Sequence, residues 1–134
     1  MKNRIDHVGY LTGDILSTAK AFEKLGYQMG EIVDDDTQRT RICFLTKPDE
    51  VRVELVEPYE DNKTMQKMLA KRGVTPYHIC YEVDNLDTAI EELQEQRFVV
   101  SQEPHEAVAI EGKRVCFLVH GQIGIIELVE VENK

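Results

Sequence analysis

The chain has 134 residues, enough for one ordinary domain with a hydrophobic core. It is 42% hydrophobic and 31% charged with a net charge of −9, which favours a soluble globular protein and argues against nucleic acid as a partner. Because no apolar run approaches the roughly 20 residues of a membrane span and no secretory signal is recognised, a cytoplasmic protein without membrane contact is expected.

The first half of the sequence predicts a strand, a helix and three more strands. A strand is expected at 4–11, where β-branched and aromatic residues are frequent. Asp14 can cap a helix whose apolar residues recur at helical spacing, and Gly26 suits its exit. Further strands are expected near 27–33, 40–46 and 51–57, with the polar segment 34–38 as the turn between the first two.

The second half predicts the same order of elements. A short linker helix is expected near 62–73, with Asn62 as its cap and Gly73 at its end. A strand at 76–83 follows, and then a helix capped by Asp84 or Asn85. The remaining strands are expected near 97–102, 114–120 and 123–131.

These two halves also repeat each other in sequence. RICFL at Arg41 matches RVCFL at Arg114, and ELVE occurs at 54–57 and again at 127–130. We therefore predict one α+β domain over 1–134, with internal repeats at 1–60 and 74–134. Its fold would be two tandem βαβββ modules whose mixed sheet is cupped around a cavity.

Four residues stand at matched positions of this repeat. His7 and His78 lie in the first strand of each half, and Glu54 and Glu127 lie in the last. Each glutamate is surrounded by apolar residues, and burying an ionised carboxylate without a partner costs several kcal/mol. A single divalent ion would compensate all four groups, and two imidazoles with two carboxylates suit Ni²⁺, Co²⁺, Zn²⁺, Mn²⁺ or Fe²⁺.

The other candidate residues have no such support from the repeat. His105, expected in a loop, and His120 are interpreted as structural or exposed, because neither has a counterpart in the other half. Cys80 follows His78 on the same strand face and is expected near the site. The remaining two cysteines are expected in the core as reduced thiols. The glutamates that end each ELVE motif are interpreted as surface charges.

IDHVGY, VRVELVEP, TPYHICYEVDN and IGIIELVE, in that order, resemble the vicinal oxygen chelate superfamily, which includes glyoxalase I and methylmalonyl-CoA epimerase. The resemblance covers essentially the whole chain and implies two βαβββ modules around one metal. It places His7, Glu54, His78 and Glu127 at the family's ligand positions. It also implies that Glu127 and Glu54 act as ligands and as proton-transferring bases.

Within this family the sequence favours a glyoxalase I-like lyase that converts a thiol hemithioacetal of methylglyoxal into a thioester. Glu54 stands where well-known epimerases have Gln, and residues 37–39 lack the acidic residue that epimerases carry there. The short chain resembles the bacterial type activated by Ni²⁺ or Co²⁺, with Zn²⁺ as a further option, and a homodimer is expected.

Two alternatives stay open. The segment KMLAKRGVTPYHICYEV resembles epimerases as closely, so methylmalonyl-CoA epimerase is the first alternative, with a CoA thioester as substrate. Tyr10 and Leu11 stand near where glutathione-using glyoxalases often have an arginine, so the thiol could be another one. A non-catalytic, antibiotic-sequestering protein of the same fold is the second alternative.

Overall fold

The protein, described by a computed structural model over residues 4–132, follows the predicted element order. The first module consists of β1 (Arg4–Leu11), α1 (Ile15–Glu23), β2 (Gln28–Asp35), β3 (Thr40–Thr46) and β4 (Arg52–Pro58). The linker helix is α2 (Lys63–Arg72). The second module consists of β5 (Thr75–Val83), α3 (Leu86–Glu95), β6 (Val99–Ala107), a 3-10 turn (Val108–Ile110), β7 (Lys113–His120) and β8 (Gly124–Glu130). The ends of the predicted 1–134 domain lie outside the described residues.

The α+β class and both βαβββ modules are confirmed. The chain forms two compact units, one from His7 to Tyr77 and one built mainly from the residues after Tyr77. In the first unit the strands lie in the order β2-β3-β4-β1, with β1 and β4 parallel. In the second unit the order is β5-β8-β7-β6, with β5 and β8 parallel. Within the described part of the chain, no helix is long and apolar enough to span a membrane.

Side-chain caps set where the three helices begin. Asp14, Asn62 and Asn85 each accept a hydrogen bond from a backbone N–H of the first helical turn, at 3.0–3.2 Å. At the end of α2, Gly73 has a φ of 74°, and its N–H donates to the carbonyl of Leu69 at 2.8 Å. Glycine adopts this left-handed conformation without the steric penalty of a side chain, so the predicted helix end is confirmed.

The helices α1 and α3 each pack against one face of the strands of their own unit. The core of the first unit contains Ile15 and Ala19 of α1 with Cys43, Leu45, Val53 and Leu55 of the sheet. The core of the second unit contains Leu86, Ala89 and Ile90 of α3 with Cys116, Leu118, Ile126 and Leu128. Because side chains alternate along a strand, the residues between these positions face away from the helix. Glu54 and Glu127 are among them.

The sequence suggested that the glutamates at the end of each ELVE motif are surface charges, but the structure gives them specific partners. Glu57 accepts a hydrogen bond from the N–H of Ile15 at 2.9 Å, and Glu130 accepts one from Leu86 at 2.8 Å. Each therefore ties the last strand of its module to the first turn of the helix, where a negative charge is favourable. The repeated arginines lie 3.6 and 3.7 Å from the same carboxylates. This connection explains why Arg and Glu recur together in the sequence.

The strand β6 differs most from its prediction. It extends to Ala107, and the structure places His105 within this strand rather than in a loop. The register of β6 against β7 shifts twice along its length. β6 ends the strand order of its unit, and such an edge position tolerates both Pro104 and register shifts. Pro104 had favoured the loop interpretation.

Candidate metal centre

The first unit holds a buried histidine–glutamate pair. His7 lies on β1 and Glu54 on β4, and the parallel register of these strands aligns His7 with Arg52, two residues before Glu54. The side chains of His7 and Glu54 therefore project from the same face, and Nε2 of His7 lies 3.4 Å from Oε1 of Glu54. Their exposed fractions are 0% and 4%, so bulk water does not solvate the carboxylate.

The second unit repeats this arrangement. His78 lies on β5 and Glu127 on the parallel strand β8. Nε2 of His78 lies 3.2 Å from Oε1 of Glu127, and both residues are 3% exposed. All four residues singled out from the sequence are thus buried, and the structure brings them together in two matched pairs.

An aromatic ring, not anticipated from the sequence, flanks each histidine. Phe44 meets His7 edge to face with ring centroids 5.2 Å apart, and Phe117 meets His78 at the same distance. Each ring stands directly across the strand pair from the glutamate of its unit. Edge-to-face packing limits the rotation of an imidazole and keeps its surroundings apolar. The signal was present in RICFL and RVCFL, where a phenylalanine recurs at the same place of each repeat.

Both pairs fit a divalent metal ion. Imidazole nitrogen and carboxylate oxygen are ligands that first-row transition metals accept, and two neighbouring ligands of one such ion lie roughly 3 Å apart. The Nε2–Oε1 separations of 3.4 and 3.2 Å are close to that value. In each unit, therefore, the two side chains are close enough to ligate one ion together.

The cysteines follow the prediction. Cys43 and Cys116 lie in the two hydrophobic cores, and each S–H lies within hydrogen-bonding distance of a carbonyl on the neighbouring strand. Burial raises the pKa of Cys43, and it raises the pKa of Cys116 to about 11, so both are neutral thiols at neutral pH. Cys80 is fully buried two residues after His78 and shares its strand face.

The remaining two histidines have structural contacts. The Nδ1 atom of His105 lies 3.0 Å from the carbonyl oxygen of Glu103. His120 ends β7, where its Nδ1 accepts a hydrogen bond from the N–H of Gln122 at 3.0 Å. The ring of His120 also packs on Phe98 at 4.6 Å between centroids. Neither arrangement resembles the buried pairing with glutamate.

Curated relatives identify the type of enzyme to which the chain is related. Mitochondrial methylmalonyl-CoA epimerase of Bos taurus is 30% identical over 133 residues, which cover 97% of this chain and 74% of the bovine one. The ethylmalonyl-CoA/methylmalonyl-CoA epimerase of Cereibacter sphaeroides is also 30% identical, over 88% of this chain and 89% of its own. The crystal structure of methylmalonyl-CoA epimerase from Mycobacterium tuberculosis superimposes with a TM-score of 0.81 at 26% identity, covering 97% of this chain and 89% of that one.

These relatives show that the prediction of a glyoxalase I-like lyase acting on methylglyoxal is wrong. They are epimerases, so the chain is related to isomerases that act on thioesters. Glu54 had favoured the lyase because epimerases were expected to have Gln. Both side chains offer an oxygen ligand, however, and a carboxylate can also act as a base, so Glu54 does not exclude an epimerase. Residues 37–39 lie in the turn after β2, and a single turn is weak evidence against similarity over the whole chain.

A family model described as the Glyoxalase/Bleomycin resistance protein/Dioxygenase superfamily matches residues 6–117. The match spans most of the chain, includes three of the four buried histidine and glutamate residues and agrees with the duplicated βαβββ module. The chain therefore belongs to this superfamily, which is the vicinal oxygen chelate superfamily.

Proposed function

We propose that the protein is a metal-dependent epimerase of a 2-carboxyacyl-CoA thioester, with methylmalonyl-CoA as the first substrate to test. The observation that carries the proposal is the pair of buried histidine–glutamate sets at matched positions of the two modules. Relatives named as methylmalonyl-CoA epimerases supply the substrate class. Ethylmalonyl-CoA is a second substrate to test, since the Cereibacter sphaeroides relative is named for both.

In this proposal the two pairs hold one divalent ion together. His7, Glu54, His78 and Glu127 offer two imidazoles and two carboxyl groups, a set that could hold a metal ion. Ni²⁺ and Co²⁺ are favoured and Zn²⁺ is possible, because mixed nitrogen and oxygen ligands suit all three. A bound ion supplies Lewis acidity, which makes the proton beside a coordinated carbonyl easier to remove.

Glu54 and Glu127 are the proposed bases. The C2 proton of a methylmalonyl thioester lies between a thioester carbonyl and a carboxylate, and its removal leaves an enolate. One glutamate, ionised at the start, would take this proton, and the other, protonated at the start, would return its proton to the opposite face of the planar carbon. The configuration at C2 is then inverted, no group is oxidised or reduced, and the two carboxylates exchange protonation states. In an epimerisation the substrate and the product differ only in configuration, so the forward and reverse reactions need the same acid–base group on each face. Equivalent glutamates in two repeated modules suit this requirement.

Solvent deuterium exchange tests this proposal directly. We expect the metal-loaded protein to convert a single stereoisomer of methylmalonyl-CoA in D₂O into a mixture of both, with one deuterium at C2 by mass spectrometry. Methylglyoxal with glutathione serves as the control, and we expect no thioester to form from it. Methylmalonyl-CoA that keeps its C2 proton and configuration in the presence of each of the three metals would overturn the proposal.

A further inference from the structure

The histidine–glutamate pairs of the two units differ in the charge of a neighbouring residue on β4 and β8. Arg52 stands two residues before Glu54, on the same face of its strand. In the second module the corresponding residue is Ile125, two residues before Glu127. The histidines, the glutamates and the flanking phenylalanines are otherwise the same in both units. Arg52 is therefore a cation that breaks the symmetry of the duplicated site.

Contacts within the first unit fix where this cation lies. The guanidinium of Arg52 stacks over the ring of Phe44, with Cζ 4.2 Å from the ring centroid. The same ring meets the imidazole of His7 edge to face. Arg52 is also the register partner of His7 on the neighbouring strand, and it is only partly buried. One aromatic ring thus holds both the positive charge and a proposed metal ligand.

A stacked arginine is well suited to bind an anion. Stacking uses the flat face of the guanidinium, whereas its N–H donors lie around the edge, where they match the two oxygens of a carboxylate. The glutamates of the two pairs repel a negatively charged substrate, and a nearby cation offsets this repulsion. The chain as a whole has a net charge of −9, but an arginine lies on the strand face that carries His7 and Glu54. The charge at this position is therefore opposite in sign to that of the whole chain.

We infer that Arg52 binds the free carboxylate of the acyl group and so selects carboxylated thioesters. This inference rests on the proposed function and adds the residue that sets substrate class. The acyl carboxylate is attached directly to the carbon that loses its proton, and Arg52 lies beside Glu54, a proposed base. The phosphates of CoA lie at the far end of the pantetheine arm, which makes them the less suitable partner for this position.

Binding measurements that do not depend on turnover test the inference. We would measure the affinities of methylmalonyl-CoA and propionyl-CoA, which differ by the carboxylate alone, by calorimetry on the metal-loaded protein. Arg52→Ile, which copies the second module, should weaken binding of methylmalonyl-CoA by about tenfold or more, as loss of a charged hydrogen bond does. Propionyl-CoA should bind as tightly as before, and Arg52→Lys should recover part of the loss.

Arg4→Ile is the matched control for the lost charge. Arg4 lies exposed on β1, three residues before His7 and so on the opposite face of that strand, and its replacement should leave both affinities unchanged. Metal content measured on each variant shows whether the site is intact. In turnover, Arg52→Ile should raise KM for methylmalonyl-CoA more than it lowers kcat.

Three results would overturn the inference. Equal weakening of both thioesters by Arg52→Ile, with methylmalonyl-pantetheine unaffected, would assign Arg52 to the CoA phosphates instead. No weakening of either thioester, or loss of metal from the variant, would remove its role in selecting the substrate. Deuterium exchange by the parent protein is scored separately. A parent that binds with a carboxylate preference but exchanges no deuterium would refute the proposed function and leave the binding role of Arg52 in place.

Discussion

At the scale of single residues, the ligand candidates could be predicted because their chemistry conflicts with their surroundings. Glu54 and Glu127 interrupt apolar strands, and a buried carboxylate requires a partner. Phe44, Phe117 and Arg52 could not be predicted in the same way. An aromatic residue in an apolar strand is ordinary core composition, and an arginine at the start of a strand is ordinary surface composition. Their roles depend on strand register, which short motifs do not specify.

Replacement of either glutamate by glutamine should uncouple deuterium exchange from inversion. Gln keeps an oxygen ligand but cannot accept the proton, so Glu127→Gln and Glu54→Gln should each lower the epimerisation rate by about 100-fold or more. In each variant the remaining glutamate should still exchange the C2 proton of one stereoisomer, namely the one whose C2 proton points toward that glutamate. Mass spectrometry gives the exchange, and chiral analysis of the released acid gives the inversion.

Metal content by elemental analysis is the control for these two variants, and it should stay near that of the parent. If a variant kept its metal and inverted both stereoisomers at the parent rate, the replaced glutamate would not be a base. If one variant lost inversion and exchange for both stereoisomers while the other kept both, a single residue would be acting on both faces.

At the scale of elements, helix ends were predicted more accurately than strand ends. Asp14, Asn62 and Gly73 act as expected because a cap is a local interaction between a side chain and the next turn. β6, by contrast, extends to Ala107, and a 3-10 turn follows it that the sequence did not indicate. The end of a strand depends on how far its neighbour pairs with it. The neighbour of β6 is β7, which comes later in the sequence, so the local sequence of β6 does not specify where the strand ends.

The cap of α3 offers a test at this scale. Asn85→Ala removes the acceptor for the N–H of Thr88 and should lower the free energy of unfolding by about 1 kcal/mol, measured by urea denaturation. Asn85→Ser should keep most of the stability because serine is also a good cap. α3 buries Leu86, Ala89 and Ile90 in the core of its unit, so loss of the cap should lower the free energy of global unfolding. Equal stability of the alanine variant and the parent would show that the cap contributes nothing.

At the scale of the whole molecule, the internal repeat made the fold predictable before any contact was known. Two modules with matched motifs required matched elements, and the structure has them in the predicted order. Function was less accessible, because the lyase and the epimerase were expected to differ at only one of the four ligand positions and to share proton removal as the first chemical step. Similarity to epimerases over 97% of the chain overturned the lyase prediction that Glu54 and one turn had favoured. The expected single domain and the homodimer stay predictions.

The central claim is that the two histidine–glutamate pairs together hold one metal ion on which proton transfer depends. The most direct test is to remove metal with a chelator, titrate Co²⁺ or Ni²⁺ back and follow C2 deuterium exchange of methylmalonyl-CoA. We predict no exchange in the metal-free protein, and a linear rise that stops at one equivalent per chain. Full exchange without metal, or a rise that continues to two equivalents per chain, would contradict the claim, since the second result would mean that each pair binds its own ion.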